Sequence, residues 1–190
     1  MKLPNGLLPK ESNNLFMAGD ERVNENTFLT TYHTIFVREH NRVCDEIFKK
    51  DPSLNDEQVY QAARHYVIGL LQKVTMEDFL PLLLGQEYNN IIGQYTGYKP
   101  HLNPNIPIEF STAAYRIGHT LIVNENPFVN HLGYQTQELH LRDLFFRPDL
   151  VSSSFMEEGL RGLARNRMKE KSIELAHNVR NLLVLDPLNR

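Results

Sequence analysis

One long helical pattern constrains this chain more than any other feature. After the polar start Glu25-Asn26-Thr27, the residues Leu29, Tyr32, Ile35, Phe36, Val43 and Ile47 recur at helical spacing. Asp51-Pro52-Ser53 then breaks the run. Asn55 with Gln58 three residues on has the form of a capping box. A second helix is expected behind it, with Val59, Tyr60, Ala63, Val67, Leu70, Leu71 and Val74 as its apolar face. Pro81 should end or kink that helix and Gly85 close it. Gly97, Pro100, Pro104 and Pro107 mark residues 93–107 as irregular surface chain. Further helices are expected over residues 108–121, 139–146, 154–164 and 172–184. Strand signals are weak throughout, so the expected class is mainly α with little or no β.

Composition narrows what such a chain does. Its 190 residues suit one ordinary domain or a piece of a larger one. With 41% hydrophobic and 23% charged residues it is globular, not disordered. A net charge of −3 gives no bulk attraction to nucleic acid or acidic membranes. Cys44 is the only cysteine, which excludes an internal disulfide and a Cys-rich zinc site without fixing the compartment. Residues 1–14, MKLPNGLLPKESNN, form an irregular leader broken by Pro4, Gly6 and Pro9, and are not read as a signal peptide. No apolar stretch reaches the length of a membrane span, and no Asn-x-Ser/Thr sequon is present.

Three polar groupings carry possible chemistry. Arg22 and Glu25 stand three residues apart just ahead of the long helix. As an ion pair they would add only about 0.2–0.5 kcal/mol, and a glutamate in a first turn is simply favourable electrostatics. In YRIGHTLI, Arg116 and His119 fall at i and i+3 on one helical face. A helical histidine on an apolar face is, on its own, more often a hydrogen-bonded core residue than a ligand. The knot Arg38-Glu39-His40-Asn41-Arg42 is, taken alone, more often a solvated or interhelical patch than a site. Other readings fail: Glu174 and His177 have di-iron spacing without the required second copy. The Asp51–Asn55 stretch lacks the glycine and bidentate glutamate of a calcium loop, holding Asp56 and Ala62 there. Phosphate loops and Ser-His-Asp signatures are absent.

Taken in order, Ala-Gly-Asp-x-Arg-x-x-Glu, Arg-Glu-His-Asn-Arg, an LPLLLG segment and Arg-x-Gly-His-Thr-Leu resemble the animal-type haem peroxidase family. The likeness extends from about residue 15 to about residue 183. It implies a partial domain of the helical haem-peroxidase core, spanning residues 1–190, that binds haem b. By this resemblance Arg22 is the distal catalytic arginine, and Glu25 the glutamate that can esterify a haem methyl. His119 is the proximal ligand of the haem iron, with Arg116 beside it on the haem-facing side. The Arg38–Arg42 knot is the family's helix-ending motif, expected in a buried polar role. The implied reactants are hydrogen peroxide and a small electron donor or halide, in an extracellular setting.

That logic is chemically coherent. A permanently charged guanidinium stabilises negative charge developing on the departing oxygen, and a neutral imidazole holds iron from the opposite side. Departures from the family are equally informative. The family's distal histidine, its ester-forming aspartate and its calcium loop lie in a segment this chain lacks, so the chain is expected to be a central fragment. No agent for acid–base transfer was evident, since His33 and His40 belong to the matched helix. Asn26 stands where a sulfonium-forming methionine occurs in the family. Asn189 is a candidate for the asparagine that bonds the proximal histidine, though it reads better as a loop residue. The alternative function is a catalytically inactive peroxidase-like module for adhesion or assembly. A fatty-acid dioxygenase fits less well, because Arg-Glu-His-Asn is the peroxidase form of the helix motif.

Overall fold

Asp20 opens the ordered path into the long helix: its side chain accepts the Arg22 N–H and so caps a 3-10 turn over Glu21–Asn24. In this computed structural model, which describes residues 5–168, helix α1 then runs Thr27–Lys50. The helix expected over 172–184, together with Glu174, His177 and Asn189, lies outside the described residues. The chain divides into two compact units, residues 35–104 and residues 3–34 with 105–190 among them, the boundary falling within α1 after Thr34.

In the unit that begins with the first part of α1, the buried face of that helix is built of threonines. Thr27, Thr30, Thr31 and Thr34 are all buried. Three of them satisfy their hydroxyls on backbone carbonyls: Thr30 on Val23 at 2.6 Å, Thr31 on Thr27 and Thr34 on Thr30, both at 2.8 Å. Leu29 and Tyr32, expected in the core, are instead half-buried and exposed. Hydropathy scores a threonine as polar; a helix that bonds its hydroxyl back to the preceding turn hides that polarity. Leu7, Leu8, Phe16, Val23, Val151 and Met156 form a separate hydrophobic cluster in this unit.

Two of the expected helices of this unit fold differently. Residues 108–121 split into α5, Ile108–Thr112, and a 3-10 helix over Ala114–Leu121, with the break at Ala113. Tyr, Ile, Gly and Thr in AYRIGHTL are all weaker helix formers than alanine or leucine, which lowers the cost of leaving the α form. Residues 139–146 are not a helix. Leu139 and His140 end strand β2, Gln135–His140, and Leu141–Leu144 form a 3-10 turn. Strand β2 pairs antiparallel with β1, Glu125–Val129, with Glu125 opposite His140. The hairpin turn is built by Asn130, whose side-chain oxygen accepts from Leu132 and Tyr134 at 3.0 Å, and by Gly133 at φ 85°. The class remains mainly α, with this hairpin as the β content among the described residues.

Helix α6, Ser153–Arg165, corresponds to the expected 154–164, and Ser152 caps it by accepting the Phe155 N–H at 3.2 Å. It lies directly on β1. At Gly162 a Cβ would collide with the Pro127 carbonyl oxygen, and at Gly159 it would stand 2.8 Å from the Phe28 ring. Phe128 is fully buried beneath this contact and packs at 4.7 Å from the Phe155 ring centroid.

In the unit 35–104, α2 spans Asp56–Lys73 behind the expected capping box: Gln58 N–H donates to Asn55 at 2.9 Å and Asn55 N–H to Gln58 at 3.0 Å. A π-helical stretch over Val74–Phe79 follows, then α3 over Leu80–Leu84. Leu80 donates to Thr75, and Pro81, lacking an N–H, enters at the start of α3 where none is needed. Gly85 ends α3 with φ 57°. After α4, Tyr88–Ile92, residues 93–107 are irregular and exposed, as expected.

Two sequence expectations need correction here. Of the proposed α2 face, Val59 and Ala63 are buried, whereas Tyr60, Leu71 and Val74 are exposed. The knot Arg38–Arg42 neither ends a helix nor lies buried, since α1 continues past it to Lys50. Arg42 pairs with Glu39 at 2.7 Å and with Glu46 at 2.6 Å at the surface, the i,i+3 and i,i+4 geometry that a helix exterior favours. Leu71 of α2, Met76 and Phe79 of the π stretch, and Leu82 and Leu83 of α3 are exposed, Leu82 at 84%.

The α6–β1 contact makes a direct prediction. Gly162→Ala should destabilise the fold by about 1–3 kcal/mol or more, because backbone must move to admit the methyl group. Gly69→Ala in α2, where a Cβ meets nothing within 4 Å, should be neutral or stabilising by roughly 0.4–1 kcal/mol. Denaturant unfolding of the two variants beside the parent chain measures both; equal midpoints would refute the close-packing argument.

Candidate functional site

Two stripes of side chains build the site within the unit that holds residues 3–34 and 105–190. On the α1 side the stripe is Glu25, Leu29 and His33, spaced by four so that successive residues lie one above another. On the other side it is Arg116 and His119 of the 3-10 helix, whose three-residue turn eclipses positions i and i+3. These five residues, with Asp20 and Arg22, line one polar pocket of about 380 Å³. A second, predominantly apolar cavity of about 440 Å³ shares Glu25, Leu29 and His119 with it, and adds Phe28, Tyr32 and Phe145 among its walls.

Backbone contacts hold Glu25 in place. Its N–H donates to Arg22 at 2.9 Å, and its carbonyl accepts from Phe146 at 3.1 Å. The next residue, Asn26, bridges to Phe145 and accepts the Phe28 N–H on its side chain at 2.8 Å, opening α1.

Arg22 is 62% exposed and forked onto Asp20, with Nε donating at 3.0 Å and a terminal nitrogen at 2.6 Å. The hydrogen bonds from the Arg22 side chain and backbone hold the Asp20 carboxyl well below the usual carboxylate range. Conversely, the Asp20 bond raises Arg22 above its ordinary value. Arg116 donates from Nε to the Ser111 carbonyl at 3.2 Å, and its terminal nitrogens form no ion pair among the described residues.

All four candidates named from the sequence, Arg22, Glu25, Arg116 and His119, therefore line one pocket although they come from distant segments. Sequence reasoning missed two of its members. Asp20 was visible in the Ala-Gly-Asp motif, and its spacing before Arg22 is that of a cap. His33 was set aside as a helix residue, yet it sits one helical turn beyond Leu29 on the same stripe. Cys44 lies elsewhere, 3.6 Å from His40 Nδ1, and burial pushes its thiol up, so it stays protonated. Asp51, rejected as a calcium ligand, accepts both the N–H and the hydroxyl of Ser53 in a turn.

Comparison with known proteins identifies the family of the chain. Residues 3–189 match the family model for animal haem peroxidase. The chain is 42% identical over 153 residues to the peroxidasin homolog pxn-2 of Caenorhabditis elegans, covering 78% of this chain and 11% of that protein. It is 37% identical over 162 residues to thyroid peroxidase of Mus musculus, covering 81% of this chain and 17% of that protein. Peroxidase A of Dictyostelium discoideum superposes with a TM-score of 0.76 at 30% identity, over 88% of this chain and 33% of that one. The family model spans nearly the whole chain, so the chain belongs to the animal haem peroxidase family. It spans a small part of the length of the curated relatives it matches.

The family implies a haem, and the pocket can be tested for one. A haem is an apolar macrocycle with carboxylates on one edge. An apolar cavity that continues into a polar pocket lined by two arginines suits both parts. Its volume lies within the roughly 300–1,000 Å³ of cofactor sites. A single imidazole at the junction, His119, suits an iron already held by a macrocycle. Among the described residues no group of three or more His, Cys, Asp or Glu gathers to hold a bare ion. The residues fit.

The Asp20–Arg22 fork has a pH signature. A carboxyl whose folded pKa is depressed contributes stability above its unfolded pKa, and that contribution is lost as pH falls through the folded value. Asp20 should therefore remain ionised at pH 3 by carboxyl-carbon NMR. Arg22→Ala should return its titration to about 3.9. An ordinary titration in the parent chain would rule out the fork.

Proposed function

We propose that this chain carries the haem-binding part of a hydrogen-peroxide-dependent peroxidase, as one partial domain. His119 is assigned as the protein ligand to the iron of haem b, Arg22 as the catalytic charge stabiliser, and Glu25 as the carboxylate available for an ester link to the haem. Arg116, which lines the same pocket as His119, would help hold the cofactor. The single observation that carries this reading is the convergence of these four residues on one pocket beside an apolar cavity. Membership of the animal haem peroxidase family supports the reaction class.

Haem, when bound, supplies the redox centre that reduces hydrogen peroxide and oxidises a donor or halide. The protein contributes positioning and electrostatics. Arg22 keeps its charge at any working pH, and Asp20 aims it by gripping two of its nitrogens. Such a preorganised charge stabilises a developing anion without reorganising during the reaction. Leu29 and Phe28 present an apolar wall that excludes water and strengthens those interactions. The imidazole of His119 has one nitrogen for the metal, leaving the other to be tuned by a hydrogen bond. An extracellular setting follows the family expectation.

The second reading, a peroxidase-like module without turnover, draws on one specific observation. Arg22 is fully engaged by Asp20, and an incoming peroxide must share it. Reconstitution with haemin separates the two. A histidine-ligated ferric spectrum is expected, and His119→Ala should abolish it. Arg22→Ala should slow the peroxide-dependent spectral change by about 10²–10³ while leaving haem affinity nearly unchanged. Haem binding with no response to peroxide in the parent chain would favour the module. Identical spectra for parent and His119→Ala would end the ligand assignment.

A further inference from the structure

The polar pocket holds one imidazole that the proposed chemistry does not use. His33 lies two helical turns beyond Glu25, with Leu29 between them, so the stripe passes from a carboxylate through an apolar step to an imidazole. Among the described residues neither ring nitrogen of His33 has a hydrogen-bond partner. The groups facing the same pocket are Asp20, Arg22, Glu25, Arg116 and His119. Asp20 and Arg22 satisfy each other through the fork, and His33 acts on the Asp20 carboxyl at a distance without a hydrogen bond. Glu25 acts on Arg22 at a distance, raising it further. That leaves two donors open toward the pocket, His33 from α1 and the terminal nitrogens of Arg116 from the facing 3-10 helix. Two convergent donors beside an apolar wall describe a place for a carboxylate on an apolar body.

Building on the haem reading above, we propose that His33 is a binding residue for the acidic edge of the haem, sharing a carboxylate with Arg116. The role does not depend on the charge of the imidazole. A neutral ring donates one N–H and a protonated ring two, and either can meet a carboxylate oxygen. Leu29, between Glu25 and His33 on the stripe, would offer the apolar body its apolar wall. A small free carboxylate shares this chemistry, so the test must separate it from the carboxylate carried by the porphyrin.

Haemin and haemin dimethyl ester, which lacks free carboxylates, are titrated into the full chain and followed by absorbance. His33→Ala should weaken haemin binding by about tenfold to a hundredfold, the usual effect of losing one hydrogen bond to a charged group. It should leave the dimethyl ester unchanged. His33→Gln, which keeps an N–H donor, should recover most of the loss, and His119→Ala should weaken both ligands. Equal weakening of haemin and ester by His33→Ala, or no weakening of either, overturns the proposal. So does acetate shifting the His33 ring resonances while the substitution leaves haemin untouched, since the site then takes a free anion. If the parent chain binds neither haemin nor its ester, the haem reading itself fails and this inference with it.

Discussion

The short junction at Glu25 and Asn26 supports everything else in the site. Phe146 donates to the Glu25 carbonyl, Asn26 bridges to Phe145, and the Thr30 hydroxyl reaches back to Val23 at 2.6 Å. These bonds fasten the 3-10 turn carrying Arg22 to the first turns of α1, and both to the segment following the hairpin. Because the partners are backbone groups, the anchor does not depend on which side chains occupy Phe145 and Phe146. The α6–β1 contact stabilises the same hairpin from its other face, where glycine alone lets a helix approach the Pro127 carbonyl.

Electrostatics in the pocket follow from who is already paired. The bond from Arg22 to Asp20, at 2.6 Å, holds a guanidinium in one orientation. The same bond makes Asp20 a competitor for any anion approaching Arg22. Arg116 is bonded through Nε to the Ser111 carbonyl instead, with no ion pair among the described residues. Two arginines in one pocket thus take different parts, and the difference lies in their neighbours.

The unit spanning residues 35–104 has a different character. Helix α2 opens on a capping box, yet Phe79, Leu82, Tyr95 and Tyr98 are exposed. Apolar surface of that extent favours association with other protein. Surface ion pairs such as Arg42 with Glu39 and Glu46 add solubility and little stability.

Local rules were enough for much of the molecule. The Asn55–Gln58 capping box, the break at Asp51-Pro52-Ser53, the positive-φ close at Gly85 and helix α6 were all legible, because each depends on residues within a few positions of one another. The motif order was also sufficient for the family, whose model residues 3–189 match. Tertiary structure decided the rest. The 139–146 segment became strand and 3-10 turn because Glu125–Val129 offers it a partner strand, a contact that local periodicity does not encode. The buried face of α1 went to threonines because their hydroxyls find carbonyls one turn away, while Leu29 and Tyr32 turned to the cavity. Asp20 and His33 share one pocket with Arg116 and His119, more than eighty positions away, a juxtaposition that only packing decides. Sequence spacing specifies which side chains share a helix face; only packing specifies what that face meets.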